Sequence, residues 1–171
     1  VYVRNALRAD AQAIHTLIAA HVLDGSLLPR TVAEIRRNID DFVVAEHGGE
    51  IIGCGALHPY GPHLAEIRSI TVRADYRRRG AGRAIVEELL HRVRQRDITA
   101  VCLFTRGPNF FATFGFAVVP RNRVPEKFYK DCRLCPRRHA CDEIAMAMGE
   151  LSIPDAALPL RNNVAAVANA R

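Results

Sequence analysis

The chain has 171 residues, of which 49% are hydrophobic and 25% charged, with a net charge of +6 and five cysteines. That length suits one domain whose core can fold without disulfides or a structural metal, and the composition excludes a disordered or fibrous chain. No apolar run approaches the roughly 18 to 20 residues of a bilayer span and no secretory signal opens the chain, so a cytoplasmic protein with no membrane partner is expected.

After an extended VYVR, Asp10 is placed to cap a helix carrying Ile14, Leu17, Ile18 and Val22 at helical spacing, and a Gly-Ser-Leu-Leu-Pro break ends it near Asp24. Thr31 and Glu34 form a T-x-x-E capping box that opens a second short helix through about Asn38. Phe42 to Glu46, Ile51 to His58 and Leu64 to Val72 read as three strands, separated by a His-Gly-Gly turn and a loop containing Pro59, Gly61 and Pro62. The period then changes, and Ile85, Val86, Leu89, Leu90 and Val93 mark a long amphipathic helix from about Gly82 to Arg96. Ala100 to Thr105 is a buried strand, Pro108 opens an aromatic turn that Gly115 stops, FAVVP is a strand, and Ile144, Met146 and Met148 alternate in a last one. The sum is a single α/β (α+β) domain over residues 1–150, a mostly antiparallel sheet flanked by helices. Residues 151–171, rich in Ala, Pro and Asn, read as a loosely attached tail.

Between the third strand and the long helix lies DYRRRGAGRAI, Asp75 to Ile85. Three successive arginines in a basic chain fit either a polyanion or one phosphorylated ligand. Trp is absent, aromatics are 6%, and no interleaving of basic and aromatic residues marks a nucleic-acid surface, so no nucleic-acid partner is expected. A glycine-containing loop between a strand and a helix start converges backbone N–H groups and the positive helix end on an anion. Ile85 stands where a dinucleotide fingerprint needs a small residue, and the Gly-Lys-Ser/Thr of a Walker loop is absent.

Arg77, Gly80 and Gly82 in this loop resemble the Arg/Gln-x-x-Gly-x-Gly/Ala signature of the GNAT superfamily of N-acetyltransferases, and FFATFGF, Phe110 to Phe116, resembles the family's late aromatic-then-GlyPhe signature. The resemblance covers the order of elements to about Leu151 and implies a GNAT-like fold with acetyl-CoA as co-substrate. It implies main-chain contacts to the pantetheine arm from Ile70, Thr71 and Val72. The phosphates would lie on Arg77, Arg78, Arg79, Gly80, Ala81, Gly82 and Arg83. Homodimerisation through edge strands is common in the superfamily.

Three further segments, Gly25 to Phe42, Ile51 to Tyr60 and Glu66 to Val72, together with FTRGPNFF, are similar to the acetyltransferase domain of the N-acetylglutamate synthase family, in its short, stand-alone form. That resemblance implies an acidic amino acid, L-glutamate, acetylated on its α-amino group as the first step of arginine biosynthesis. Arg30 and Arg106 match the family's substrate-binding arginines, and an arginine forks onto a carboxylate with two charge-assisted bonds. Arg68 sits two residues beyond Glu66 on the same strand face, as a third substrate contact or the ion-pair partner of Glu66. Glu66 is the expected base, directly or through a water, and the backbone N–H near Ile70 the expected oxyanion donor. Phe110-Phe111 replaces the Phe-Tyr of many relatives, so the usual tyrosine acid is missing, with Tyr129 or solvent as substitutes. The alternatives are a GNAT enzyme acting on another amino acid, a peptide N-terminus or a small amine, and a non-catalytic module that binds CoA or a metal.

Five cysteines without a secretory signal argue for reduced thiols. Cys54 and Cys102 lie in apolar strands as packed core residues. Cys132, Cys135, His139 and Cys141 could complete a zinc site, a plain cysteine-rich loop or a disulfide. No obligatory metal is expected.

Overall fold

The structure, a computed structural model, describes residues 1–151. The expected tail, beyond Leu151, lies outside the described residues. The chain runs β1 (Tyr2–Asn5), α1 (Ala11–Ala19), α2 (Val32–Arg37), β2 (Phe42–His47), β3 (Glu50–Gly61), β4 (Leu64–Val72), α3 (Ala81–Gln95), β5 (Ala100–Thr105), α4 (Pro108–Ala112), β6 (Ala117–Val118), α5 (Pro125–Lys130) and β7 (Ile144–Gly149).

The strands form one sheet in the order β1-β2-β3-β4-β5-β7-β6, antiparallel throughout except for β4 and β5. Phe42 to Ala45 are all buried because helices cover both faces. Val43 and Ala45 face α3, packing with Ile52, Ile85 and Leu89, while Phe42 and Val44 face α1 and α2, packing with Ile14, Ile18 and Ile35. This is the two-fold alternation of a strand read against two apolar helix stripes. A smaller cluster of Leu64, Ala100, Cys102, Val124 and Ala147 lies under the segment that leads into α5.

The sheet also holds a buried cation. Arg92 on α3 donates to the carbonyls of Asp40 and Phe42, both at 3.2 Å, and also to the Asn5 side chain. Burial lowers its pKa, and these acceptors tie the helix to β1 and to the start of β2.

Several local expectations change. α1 stops at Ala19 and the chain passes through a series of turns to Ser26, in which the N–H groups of His21, Val22 and Gly25 each donate to the carbonyl three residues back. Asp10 does not cap α1; its carboxylate accepts the Leu7 N–H at 2.7 Å and pairs with Arg4 at 2.7 Å. The Thr31 hydroxyl caps α2 by accepting the Glu34 N–H at 3.1 Å, but the Glu34 carboxylate goes to Arg30 at 2.6 Å instead of completing the box. β3 continues through Pro59 and Tyr60 to Gly61, where a loop was expected. α5 was not foreseen, since six residues with Phe128 and Tyr129 exposed give no apolar stripe.

At the end of β7, Gly149 has φ +87°, and a Cβ there would run into the Thr99 carbonyl and the Ala100 backbone. Gly149→Ala is expected to cost about 2 kcal/mol or more from left-handed strain plus steric clash. A drop of at least ~4 °C in the thermal midpoint checks this by calorimetry, and an unchanged midpoint contradicts it.

Candidate active site

β4 and β5 touch at two residue pairs, Ala65 with Val101 and Glu66 with Cys102, and then diverge. Beyond Glu66, the β5-facing edge of β4 therefore carries backbone groups with no ladder partner on β5. On its other edge β4 has a bulge: the register passes from Cys54–Thr71 to Ala56–Arg68, so Ser69 and Ile70 oppose Gly55 alone. Ser69 takes φ +55° there. A bulge leaves one residue unpaired and re-aims the backbone. The expected oxyanion donor near Ile70 thus lies on an interrupted stretch of strand beside the mouth of a V.

The arginine and glycine loop sits across that mouth. Arg78 and Gly80 both adopt positive φ, +60° and +87°, and α3 begins at Ala81. The N–H groups of Ala81, Gly82 and Arg83 fall in the first helical turn, where no intrahelical acceptor exists. A Cβ on Gly80 would meet nothing within 4 Å, and Gly82 lies between Phe110 of α4 and Val72 of β4. Free donors, the positive helix end and open space fit a phosphate-bearing ligand.

The arginines of the loop do different things. Arg77 folds back, donating to the Val72 carbonyl at 3.3 Å and approaching His21 at 3.3 Å. Arg79 and Arg73 both lie over the Tyr76 ring, 5.6 and 4.7 Å from its centroid. Arg83 lies over Phe114, and Arg78 is exposed. Ile70 and Val72 pack their side chains on the α3 core, whereas Thr71, between them, is buried on the other face with its hydroxyl unpartnered. Thr71 is available to a ligand in the wedge through its backbone alone.

Among the three expected substrate arginines, two come together. Arg30 and Arg68 line one polar pocket with Glu34, Asp41, Phe42 and Ala56, and their side chains are 12% and 13% exposed. Arg106 lies outside it. Its Nε pairs with Asp142 at 2.7 Å, which raises its pKa, and its guanidinium also donates to the Gly25 carbonyl at 2.9 Å. Strand-end position does not bring Arg106 to Arg30; it braces the loop that precedes Arg30 instead.

Glu66, the expected base, is 1% exposed. One oxygen accepts the Tyr60 hydroxyl at 2.7 Å and the other the Lys127 ammonium at 2.6 Å. Lys127 also bonds Asp131 at 2.8 Å, and Arg68 stands 3.3 Å from Asp131 and 3.8 Å from Glu66. Burial alone lowers a lysine pKa, but the carboxylates of Glu66 and Asp131 outweigh it and raise that of Lys127. Burial likewise pushes Asp131 up and Lys127 with Arg68 pulls it below the carboxylate range. Burial and the Glu66 carboxylate raise Tyr60, which stays a neutral phenol.

Tyr60, Lys127 and Asp131 escaped the sequence reading. The i,i+4 pair Lys127 and Asp131 was its one available signal, and it resembles an ordinary surface pair. His58 packs edge-on against Tyr60 and lies 3.6 Å from Asp41, and Tyr129 is exposed on α5. Cys54 and Cys102 are buried, with burial pushing the Cys54 thiol up to about 12. Cys141 accepts a bond from Arg121, and among the described residues no three His, Cys, Asp or Glu side chains gather as a metal-holding group. No helix among the described residues is long and apolar enough to cross a membrane.

Comparison with known proteins fits this geometry. The profile of the Acetyltransferase (GNAT) family matches residues 10–116. An uncharacterized N-acetyltransferase of Chlorobaculum tepidum is 40% identical over 144 residues, covering 84% of this chain and 93% of its own length. An amino-acid acetyltransferase of Mycobacterium tuberculosis is 34% identical over 135 residues, 77% of each chain, while that of Ralstonia nicotianae is matched over 28% of its length. A Mycobacterium tuberculosis protein crystallised in complex with CoA superposes with a TM-score of 0.75 at 27% identity, over 88% of this chain and all (100%) of the other. N-acetylglutamate synthase of Neisseria gonorrhoeae shares the fold, with a TM-score of 0.76 at 23% identity over 86% of this chain and 34% of its own. With its split β4–β5 pair, its glycine loop and these relatives, the chain belongs to the GNAT acetyltransferase family and is an acetyl-CoA dependent N-acetyltransferase.

Proposed function

We propose that the protein transfers the acetyl group of acetyl-CoA to the α-amino group of L-glutamate, the reaction of N-acetylglutamate synthase. The observation that carries the reading is the pairing of Arg30 and Arg68 in one pocket on the Glu66 side of β4. Two arginines lining one pocket suit an acceptor with two carboxylates. Support comes from the Mycobacterium tuberculosis relative, named an amino-acid acetyltransferase, and from the Neisseria gonorrhoeae neighbour, crystallised with coenzyme A and N-acetyl-glutamate.

When bound, acetyl-CoA supplies a thioester-activated acetyl group. On this reading the phosphates rest on the N–H groups of residues 78–83, with Arg77, Arg78, Arg79 and Arg83 adding positive field. The free edge of β4 at Ile70 to Val72 receives the pantetheine amides. The Ile70 N–H at the bulge steadies negative charge on the carbonyl oxygen as the amine nitrogen forms its bond to carbon.

The acceptor ammonium must first lose a proton. Glu66 is reached through Tyr60: the phenol oxygen takes a proton from the amine side while its own hydrogen, already bonded to Glu66, passes to the carboxylate. As the carbon–sulfur bond breaks, the nitrogen releases its second proton to solvent and the leaving sulfur takes one from solvent, since phenylalanines occupy positions 110 and 111 and Tyr129 is exposed on α5.

Free thiol released from acetyl-CoA, measured against a panel of amino acids, peptides and small amines, tests the reading. Strict dependence on L-glutamate supports it. A different preferred acceptor replaces glutamate, and CoA binding without turnover on any amine refutes catalysis.

Two mutational outcomes follow from the same assignments. Arg30→Ala and Arg68→Ala should each raise KM for glutamate about tenfold or more, the worth of a charge-assisted bond of roughly 1.5–3 kcal/mol, and leave KM for acetyl-CoA within about twofold. Arg106→Ala should have a smaller effect, about threefold, because it acts through the Gly25 loop; equal effects from all three would restore Arg106 to the clamp. Gly80→Ala should do the reverse, raising KM for acetyl-CoA about tenfold with little change for glutamate, because the position has φ +87° and faces open space.

A further inference from the structure

Lys127 is an odd residue to bury. It sits on a six-residue helix whose neighbours Phe128 and Tyr129 are exposed, yet Lys127 itself is 7% exposed. Removing an ammonium from water is costly unless partners replace the hydration, and Lys127 has two carboxylates, Glu66 at 2.6 Å and Asp131 at 2.8 Å. Arg68 completes a buried quartet of two cations and two anions whose charges cancel.

The connectivity of this quartet matters more than its sum. Lys127 contacts both carboxylates directly, whereas Arg68 reaches Asp131 at 3.3 Å and stays 3.8 Å from Glu66. With Glu66 already supplied by Lys127 and Tyr60, Arg68 is not drawn closer to it than 3.8 Å, and Arg68 lines the pocket it shares with Arg30. Without Lys127 the quartet would hold two carboxylates and one cation, and Arg68 would be drawn to Glu66, away from that pocket.

We propose that Lys127 is a positioning residue which, by occupying Glu66 and Asp131, keeps Arg68 from closing on Glu66, holds it where it lines the acceptor pocket, and so sets the affinity for an acidic acceptor. The inference rests on the reading of that pocket as the acceptor site. α5, absent from the sequence reading, becomes the element that tunes the clamp from behind.

The test has a kinetic arm and a substrate-free arm. Lys127→Met should raise KM for L-glutamate about tenfold or more while KM for acetyl-CoA stays within about twofold, and Lys127→Arg, which keeps a cation at the site, should recover most of the loss. Asp131→Asn should also raise KM for glutamate selectively. KM values for both substrates rising in parallel, or Lys127→Arg as impaired as Lys127→Met, would overturn the proposal, because a merely structural role predicts that pattern. A crystal structure of Lys127→Met, or of Asp131→Asn where that variant alone folds, reads the same point with no acceptor present. Arg68 moved from 3.8 Å to hydrogen-bond distance of Glu66 in Lys127→Met, or away from its present position in Asp131→Asn, supports the proposal; Arg68 unmoved refutes it. If the thiol-release panel shows that no acidic amino acid is a substrate, the proposed reaction fails while the position of Arg68 in the crystal still decides the role of Lys127.

Discussion

The divergence of two parallel strands is the constraint on which the rest depends. β4 and β5 are joined at two residue pairs, and everything chemical in the domain is arranged around the gap that opens beyond them. A parallel pair cannot be left half-zipped inside a core without cost, since each unpaired backbone group loses its water. The structure offsets that cost from two sides: Arg77 satisfies the Val72 carbonyl, and β7 pairs the far edge of β5 along its whole length. The gap is thereby held open by the surrounding sheet before any ligand arrives.

Electrostatics is divided between the two sides of this gap. On the loop side, positive charge is in excess and largely exposed, so it acts at a distance and is screened by salt. On the Glu66 side charge is buried and balanced, and its effect is geometric: the quartet of Glu66, Lys127, Asp131 and Arg68 fixes directions within a few ångströms. A basic surface for a polyphosphate and a neutralised polar core for a small acid are two solutions to different recognition problems, and one short strand, β4, carries residues of both.

Much of the fold was legible because it rests on periodicity. FVVA, the alternation in LAEIRSITV and the spacing of Ile85, Leu89 and Val93 each repeat a pattern that only one burial geometry satisfies, and the strands and α3 appear where those patterns place them. The place of the glycine loop between β4 and α3 was legible for a different reason, since glycine and helix starts carry local rules. What escaped depends on contacts between residues far apart in the chain. Lys127 meets Glu66 across 61 positions, and nothing in EKFYKD distinguishes that lysine from its exposed neighbour Lys130. Arg106 meets the same limit: Asp142 and the Gly25 carbonyl, both distant in sequence, decide where its guanidinium goes. The bulge at Ser69 was likewise invisible, because a register shift leaves no mark in the alternation of a strand buried on both faces.

Arg92 has a consequence for how tightly a donor can be held. It fastens α3 to β1 and β2 some eleven residues past the glycine loop, about 16 Å along the helix axis. With the helix pinned at that depth and its apolar stripe packed on the sheet, the loop at its other end cannot swing as a unit. The conformational entropy of forming the anion cradle is then surrendered when the chain folds, and less of the binding energy of the donor is consumed in ordering the site.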